Sequence, residues 1–311
     1  MFSNPVLLVL VLTYIVICGF ILYFCVFADP EISDVAYLVQ VALPNKVRSS
    51  LTKAVGEKKM NVLQSILDYS MVFLYLVVVL GCWSVVFWYI YPWITDSPRV
   101  SNIHKVLGYF VFVACIGSWV LAHKSSPGII TARTFKKYDH YPYDNLLFLP
   151  NKRCGTTNLI RIPRSKFDRY KYNQNVPRYD HFCGWVYNTI GENNYRWFLL
   201  FLVVHVLMCA YGSAVTITLF YSEIKDKKLL ELTFFDRATG DHIQSNWNIV
   251  FQYLFSRNTL EFSVLLIMFV IGIALGAFLG YHVSLCLNQG RHPSLQCSIR
   301  SPYLNRAMNN F

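Results

Sequence analysis

Apolar residues in this chain are gathered into long runs, separated by stretches where polar and charged positions dominate. Five runs come close to or exceed the about 20 residues that a helix needs to cross the hydrocarbon core of a bilayer. They are Pro5 to Phe27, Met71 to Tyr91, His104 to Ala122, Trp197 to Phe220 and Phe262 to Leu287. Lipid offers no partner to backbone N–H and C=O groups, so each run predicts a helix. The expectation is an all-α polytopic membrane protein with about five transmembrane helices. The first run lacks the basic flank and small-residue cleavage site of a secretory signal and is expected to be retained. Residues 1–122 then form an N-terminal membrane region, 123–196 a polar loop domain between helices three and four, 197–287 a second membrane region, and 288–311 a tail.

Composition agrees with the pattern: 55% of the 311 residues are hydrophobic and only 14% are charged, which excludes a soluble globular chain. Charge adds direction. Of the 28 Lys and Arg, five fall in Ala28 to Ser70, thirteen in His123 to Arg196 and three after Leu287, whereas the opposite side carries seven, offset in Tyr221 to Glu261 by six acidic residues. This bias predicts a cytosolic 123–196 loop and C-terminus, with the N-terminus outside the cytosol. The net charge of +11 thus reads as a topological signal that also suits anionic headgroups or a phosphorylated cofactor, not as a nucleic-acid surface.

Six of the nine cysteines (Cys18, Cys25, Cys82, Cys115, Cys209 and Cys286) fall in the predicted spans, where a thiol packs as a small hydrophobe. Cys154, Cys183 and Cys297 fall on the predicted cytosolic side, where disulfides are not expected. Cys183 has chemistry beside it. In Asp180-His181-Phe182-Cys183 an imidazole is available to take the thiol proton while a carboxylate fixes the imidazole tautomer, the requirement for a cysteine nucleophile acting on an activated acyl group.

The surrounding residues make this stretch resemble the DHHC protein S-acyltransferases, or palmitoyltransferases. Asp180, His181 and Cys183 match the motif, and Trp185, Asn188, Ile190, Gly191, Asn194, Tyr195, Arg196 and Phe198 follow at the family's spacing. Cys154 and Pro163-Arg164-Ser165-Lys166 resemble the opening of the family's Cys-rich domain, and Ser126-Pro127-Gly128 its DPG motif. The resemblance implies that Cys183 accepts a fatty acyl group from acyl-CoA, palmitoyl-CoA in the type case, with His181 as general base and Asp180 as its orienting partner. The acyl group would then pass to cysteines of membrane-associated proteins. It implies an acyl-chain cavity between membrane helices, lined mainly by His104 to Ala122 and Trp197 to Phe220, and an endoplasmic reticulum or Golgi membrane. Arg178, Trp185 and Arg196 are the candidates for contacting acyl-CoA.

The departures concern metal. Thr157, Phe167, Asp168, Phe182 and Thr189 stand where the family's zinc ligands align, and no Cys or His occurs from Asp168 to Asp180. Structural zinc takes four ligands, so with Cys154 alone no zinc is expected. An aromatic cluster of Phe167, Tyr170, Tyr172, Tyr179, Phe182, Trp185 and Tyr187 is the available substitute. Ser126 replaces the DPG aspartate, and no TTxE motif follows the last helix within Asn288 to Ser298. A catalytically inactive membrane scaffold or partner subunit is therefore the alternative to an active enzyme. Among the remaining features, Gly272, Gly276 and Gly280 predict close helix packing, His205 and His282 lie in or near membrane helices, and Trp247 to Phe255 is expected to lie along the interface.

Overall fold

The computed structural model describes residues 33–38, 42–143, 148–235, 240 and 242–288. The predicted Pro5 to Phe27 span, Cys18, Cys25, Cys297 and the tail beyond residue 288 lie outside the described residues. The described residues up to Asp68 and those from Tyr69 onward belong to two compact units.

Among the described residues, two helices lie wholly within the first unit. The short α1 (Asp34–Tyr37) is followed by α2 (Leu43–Val55). Helix α2 stops at Gly56, whose φ of 87° is open to glycine and costly to residues with a Cβ. Helix α3 (Glu57–Val85) begins directly after it.

Four helices among the described residues are long and apolar enough to cross a membrane: the continuous 57–96 stretch, α5 (Ile103–Lys124), α7 (Tyr195–Asp226) and α9 (Thr259–Asn288). The 57–96 stretch overruns its apolar run of Met71 to Tyr91 at both ends, because its polar flank contains good helix formers such as Glu57, Lys58 and Gln64. It is also not regular. Residues Val86–Ile90 form a π-turn before α4 (Tyr91–Asp96). Pro92 is the physical reason: it has no N–H to donate and its ring crowds the carbonyl four residues back, so the helix widens and Tyr91 N–H reaches Val86 O instead. The turn aims the Tyr91 hydroxyl at Lys105 O, 2.9 Å away, over Gly108, where any side chain would collide with that hydroxyl.

Helix α7 packs between α5 and α9. Gly212 admits the Met268 sulfur and Gly272 admits Cys209, so α7 and α9 approach closely in both directions. Among the described residues, of the three α9 glycines only Gly272 has a close neighbour; a side chain at Gly276 or Gly280 would meet none of them within 4 Å. His205 of α7 is satisfied within the bundle. Its Nδ1 lies 2.8 Å from Phe201 O, which only accepts, so Nδ1 carries the proton and Nε2 accepts from Tyr75 Oη of α3 at 3.0 Å. It ties two helices together and needs no transport role.

Between α5 and α7 the chain forms the short helix α6 (Phe135–Tyr138) and two small antiparallel hairpins. Strand β1 (Lys166–Asp168) pairs with β2 (Gln174–Val176), and β3 (His181–Cys183) with β4 (Asn188–Ile190). A third hairpin, β5 (Thr233–Phe235) with β6 (His242–Gln244), follows α7. The run Trp247 to Phe255 is a helix, α8 (Trp247–Arg257), capped by the Asn246 side chain; Val250 and Leu254 are buried while Trp247, Phe251 and Phe255 are exposed.

Candidate active site

In the β3–β4 hairpin His181 lies opposite Ile190, Phe182 opposite Thr189 and Cys183 opposite Asn188. Alternate residues of a strand share a face, so His181 and Cys183 point the same way and Phe182 points away. One residue therefore separates the imidazole from the thiol on that face. Asp180 sits at the strand entry, its N–H bonded to Ile190 O at 2.9 Å, and its Oδ2 lies 2.6 Å from His181 Nδ1. The carboxylate thus fixes the tautomer and leaves Nε2 for the thiol. Burial works against a charged imidazole at this position, but hydrogen bonds to Asp180 and Cys183 and the charges of both outweigh it, lifting His181 to about 9. Cys183 itself is buried.

The hairpin is docked on the end of α5 by polar groups. The Trp119 indole N–H donates to Trp185 O at 3.1 Å, and His123 Nδ1 donates to Val186 O at 2.7 Å. These residues are four apart, hence on one helix face. In return the fully buried Asn188 donates through Nδ2 to Ala122 O at 2.8 Å and Ser125 O at 2.7 Å. Asn194 adds a bond to Ser125 O at 3.2 Å and holds the β4 exit through Thr189 O and the Gly191 N–H. Carbonyls that a helix C-terminus leaves unpaired are therefore consumed by the two asparagines of the motif. Gly191 is obligatory here, since a Cβ would lie 2.6 Å from Val176 Cγ1 and 3.0 Å from Pro127 O.

The residues aligned with zinc ligands make other contacts. Asp168 is fully buried and its two oxygens accept the backbone N–H groups of Tyr170, Lys171 and Tyr172 at 2.8 to 3.2 Å. Thr157 Oγ1 accepts from Asn175 Nδ2 at 2.8 Å, and the Cys154 thiol faces Asn175 Oδ1 at 3.6 Å. Burial raises the Cys154 pKa, but bonds from the Thr157 hydroxyl and N–H and the Thr156 N–H prevail and lower it to about 7. Thr189 is buried, and its Oγ1 has no hydrogen-bond partner among the described residues. Among the described residues no three His, Cys, Asp or Glu side chains converge as a metal site, and one thiol among amide and hydroxyl neighbours does not fit structural zinc.

The expected aromatic cluster forms in part. Phe182 stacks on Tyr170 at 4.9 Å and meets Tyr187 edge-on at 5.6 Å, with Tyr69 against Tyr187 at 4.2 Å. Tyr172 instead donates to Asn188 Oδ1, and Tyr179 lies under the Lys166 ammonium. Trp185 leaves the group altogether and lines a cavity.

That cavity, about 530 Å³, runs from Cys183, Trp185 and Phe198 past Tyr75 and His205 to Ile94 and Thr216. The expectation that His104 to Ala122 would supply much of its wall is corrected: α5 gives only His104, Gly108 and Val111, while α3, α4 and α9 contribute with α7. Helix α5 faces the hairpin at its end, which leaves less of it for the cavity. Of the acyl-CoA candidates, Arg178 stacks over Tyr195 at 5.2 Å, Trp185 stands at the cavity, and Arg196 is exposed over Trp197 at 4.8 Å. Sequence reading missed Trp119 and His123 as supports of the site. Their four-residue spacing at the end of a predicted span was the available signal.

Residues 148–292 match the family described as DHHC palmitoyltransferase. A palmitoyltransferase SWF1 of Yarrowia lipolytica is 35% identical over 137 residues, 42% of this chain and 36% of that protein. A palmitoyltransferase ZDHHC4 of Mus musculus is 31% identical over 134 residues, 43% of this chain and 39% of the relative. A ZDHHC4 of Bos taurus is 28% identical over 221 residues, covering 71% and 62%. The chain thus spans little more than a third of the length of the first two relatives.

Proposed function

For a chain that is a DHHC-type family member, we propose protein S-acyl transfer through an acyl-Cys183 intermediate, with acyl-CoA as donor and cysteines of membrane-associated proteins as acceptors. The observation that carries this reading is the Asp180–His181–Cys183 arrangement at one end of an apolar cavity. In the first step His181 Nε2 holds the proton given up by Cys183, as its raised pKa favours, while the thiolate attacks the thioester carbonyl. The bond from the acyl carbon to the coenzyme sulfur then breaks, and the departing thiolate takes the proton from His181. In the second step an acceptor thiol gives its proton to His181 and attacks the acyl-Cys183 carbonyl. Cys183 leaves and recovers the proton. Asp180 remains ionised throughout and favours the charged imidazole.

The cavity gives the acyl tail an apolar site continuous with the nucleophile, so the thioester is presented while the tail stays in a hydrocarbon environment. We place the loop of residues 123–196 on the cytosolic face, where Arg178, Trp185 and Arg196 can meet the coenzyme, and the chain in an endoplasmic reticulum or Golgi membrane. The Lys and Arg distribution supports that orientation.

The test is incubation of the full chain with labelled palmitoyl-CoA. A hydroxylamine-labile label at Cys183, lost in Cys183→Ala, is the expected result. Label that persists in Cys183→Ala and disappears in Cys297→Ser would identify the chain as an acylated scaffold or partner subunit, with Cys297 an ordinary juxtamembrane acceptor.

A further inference from the structure

We infer that His282, on the last membrane helix and outside the Asp180 to Cys183 motif, is a positioning residue for the His181 base. The inference rests on the acyl-transfer reading above. His181 is fixed at Nδ1 by Asp180, but its second bond is to the Cys183 sulfur, which gives it up on acylation, and one hydrogen bond does not set the tilt of an imidazole about its Cβ–Cγ torsion, which is intrinsically broad. Packing against the ring must do so. Among the described residues three rings surround it: Phe198 of α7 at 5.2 Å between centroids, and Phe278 and His282 of α9, each at 6.3 Å.

Two of these walls are hydrocarbon, and the third is a histidine almost fully buried in the bundle. Its Nδ1 is 2.9 Å from the Tyr195 hydroxyl at the start of α7. Tyr195 is held in turn by the Arg178 guanidinium, 5.2 Å over its ring, and by the Cys286 thiol, 3.8 Å from its hydroxyl. His282 also meets Phe278 edge-on at 4.6 Å and Phe198 at 5.3 Å. The Tyr195 bond therefore fixes the plane of the His282 ring, and that ring limits how far the His181 imidazole can swing from Cys183. Two helices and the loop meet at this point. A displacement of the base by about 1 Å is enough to cost roughly 10²-fold in rate.

A mere polar link between α7 and α9 makes the opposite prediction from a positioning wall, and two conservative variants separate them. His282→Phe keeps the ring and discards the bond to Tyr195. His282→Asn keeps a polar atom near the Nδ1 position and discards the ring. With the full chain in nanodiscs, single-turnover acylation of Cys183 is measured over a range of palmitoyl-CoA concentrations, alongside thermal unfolding. The expected result is that His282→Ala loses rate at saturation toward roughly 10²-fold with half-saturation unchanged, and that His282→Phe recovers most of it while His282→Asn does not. Tyr195→Phe should match His282→Phe, and the double variant should be no slower than either, because both remove one bond. Wild-type rates in all variants, or recovery by His282→Asn but not by His282→Phe, would overturn the inference while leaving acyl transfer intact. A wild-type chain that takes no label at Cys183 would instead defeat the acyl-transfer reading. Since both conservative variants fill the site, the comparison does not depend on His282→Ala folding.

Discussion

Cys154 and Cys183 belong to one loop, 29 residues apart, each supported by a small antiparallel hairpin, and the two have opposite surroundings. Cys154 has donors but no base: bonds from Thr157 and the Thr156 N–H bring its pKa down to about 7. Cys183 has a base bonded to a carboxylate and a cavity at its side. A low pKa alone supplies a thiolate, and a thiolate without a binding site or proton acceptor has nothing to transform. The difference also shows what replaces cross-linking in the loop. Near Cys154 the fold relies on Asp168 collecting three backbone N–H groups and on Asn175 bonding the Thr157 hydroxyl, while near Cys183 it relies on asparagines that fasten the hairpin to the end of α5.

The sharpest way to break this contrast is to exchange the thiols' fates. Cys183→Ala is expected to abolish acyl-enzyme formation, whereas Cys154→Ser should retain most of it, as read by gel label after palmitoyl-CoA. Equal loss in both would place Cys154 in the chemistry.

Next in size is the base. His181→Ala should slow acylation by roughly 10² to 10⁴, the usual contribution of a positioned general base. Its titration has a stability consequence too. A histidine raised from 6.5 to about 9 in the fold stabilises it fully below about pH 6.5, and that stabilisation is lost as pH climbs through 9. Thermal unfolding of the wild type should therefore decline over pH 6.5 to 9 more steeply than that of His181→Gln. Parallel profiles would argue against the Asp180 and Cys183 bonds.

Smaller effects test the supports. Asn188→Ala leaves Ala122 O and Ser125 O without this donor, and should destabilise by about 2 to 3 kcal/mol and slow acylation, because the hairpin loosens from α5. Loss of stability without loss of rate would show that docking is not what aligns Cys183. Least of all should be the effect of metal removal. Purified chain is expected to carry well under one zinc, and chelators should leave its unfolding temperature unchanged, since the donors around Cys154 and Asp168 are already engaged with backbone and amide groups. Stoichiometric zinc by elemental analysis would contradict that reading.

The membrane helices were legible because hydrocarbon imposes a length and a composition, as the runs from Met71, His104, Trp197 and Phe262 illustrate. Their ends were not, since polar helix formers extend them past the core. The motif likewise announced Asp180, His181 and Cys183 as neighbours in sequence, and strand alternation converts that spacing into a shared face. Trp119, His123 and His282 are far from the motif and reach it only through folding, so the spacing within the motif did not tie them to it. The π-turn could have been suspected from Pro92, but its result, Tyr91 seated over Gly108, depends on a neighbouring helix.

Bonding the Asn188 side chain to Ala122 O and Ser125 O makes α5 a ruler for the Cys183 thiol. The 22 residues of this helix measure roughly 33 Å, and its last carbonyls fix both the depth and the azimuth at which Cys183 is presented to the bilayer. Adding a single residue within α5 would turn those carbonyls by about 100° and carry them about 1.5 Å along the axis. Four added residues would nearly restore the azimuth while shifting the depth by about 6 Å. Helix length in this protein is thus an address for the Cys183 thiol, set in units of one residue, and bilayer thickness becomes a variable to which that thiol's position must respond.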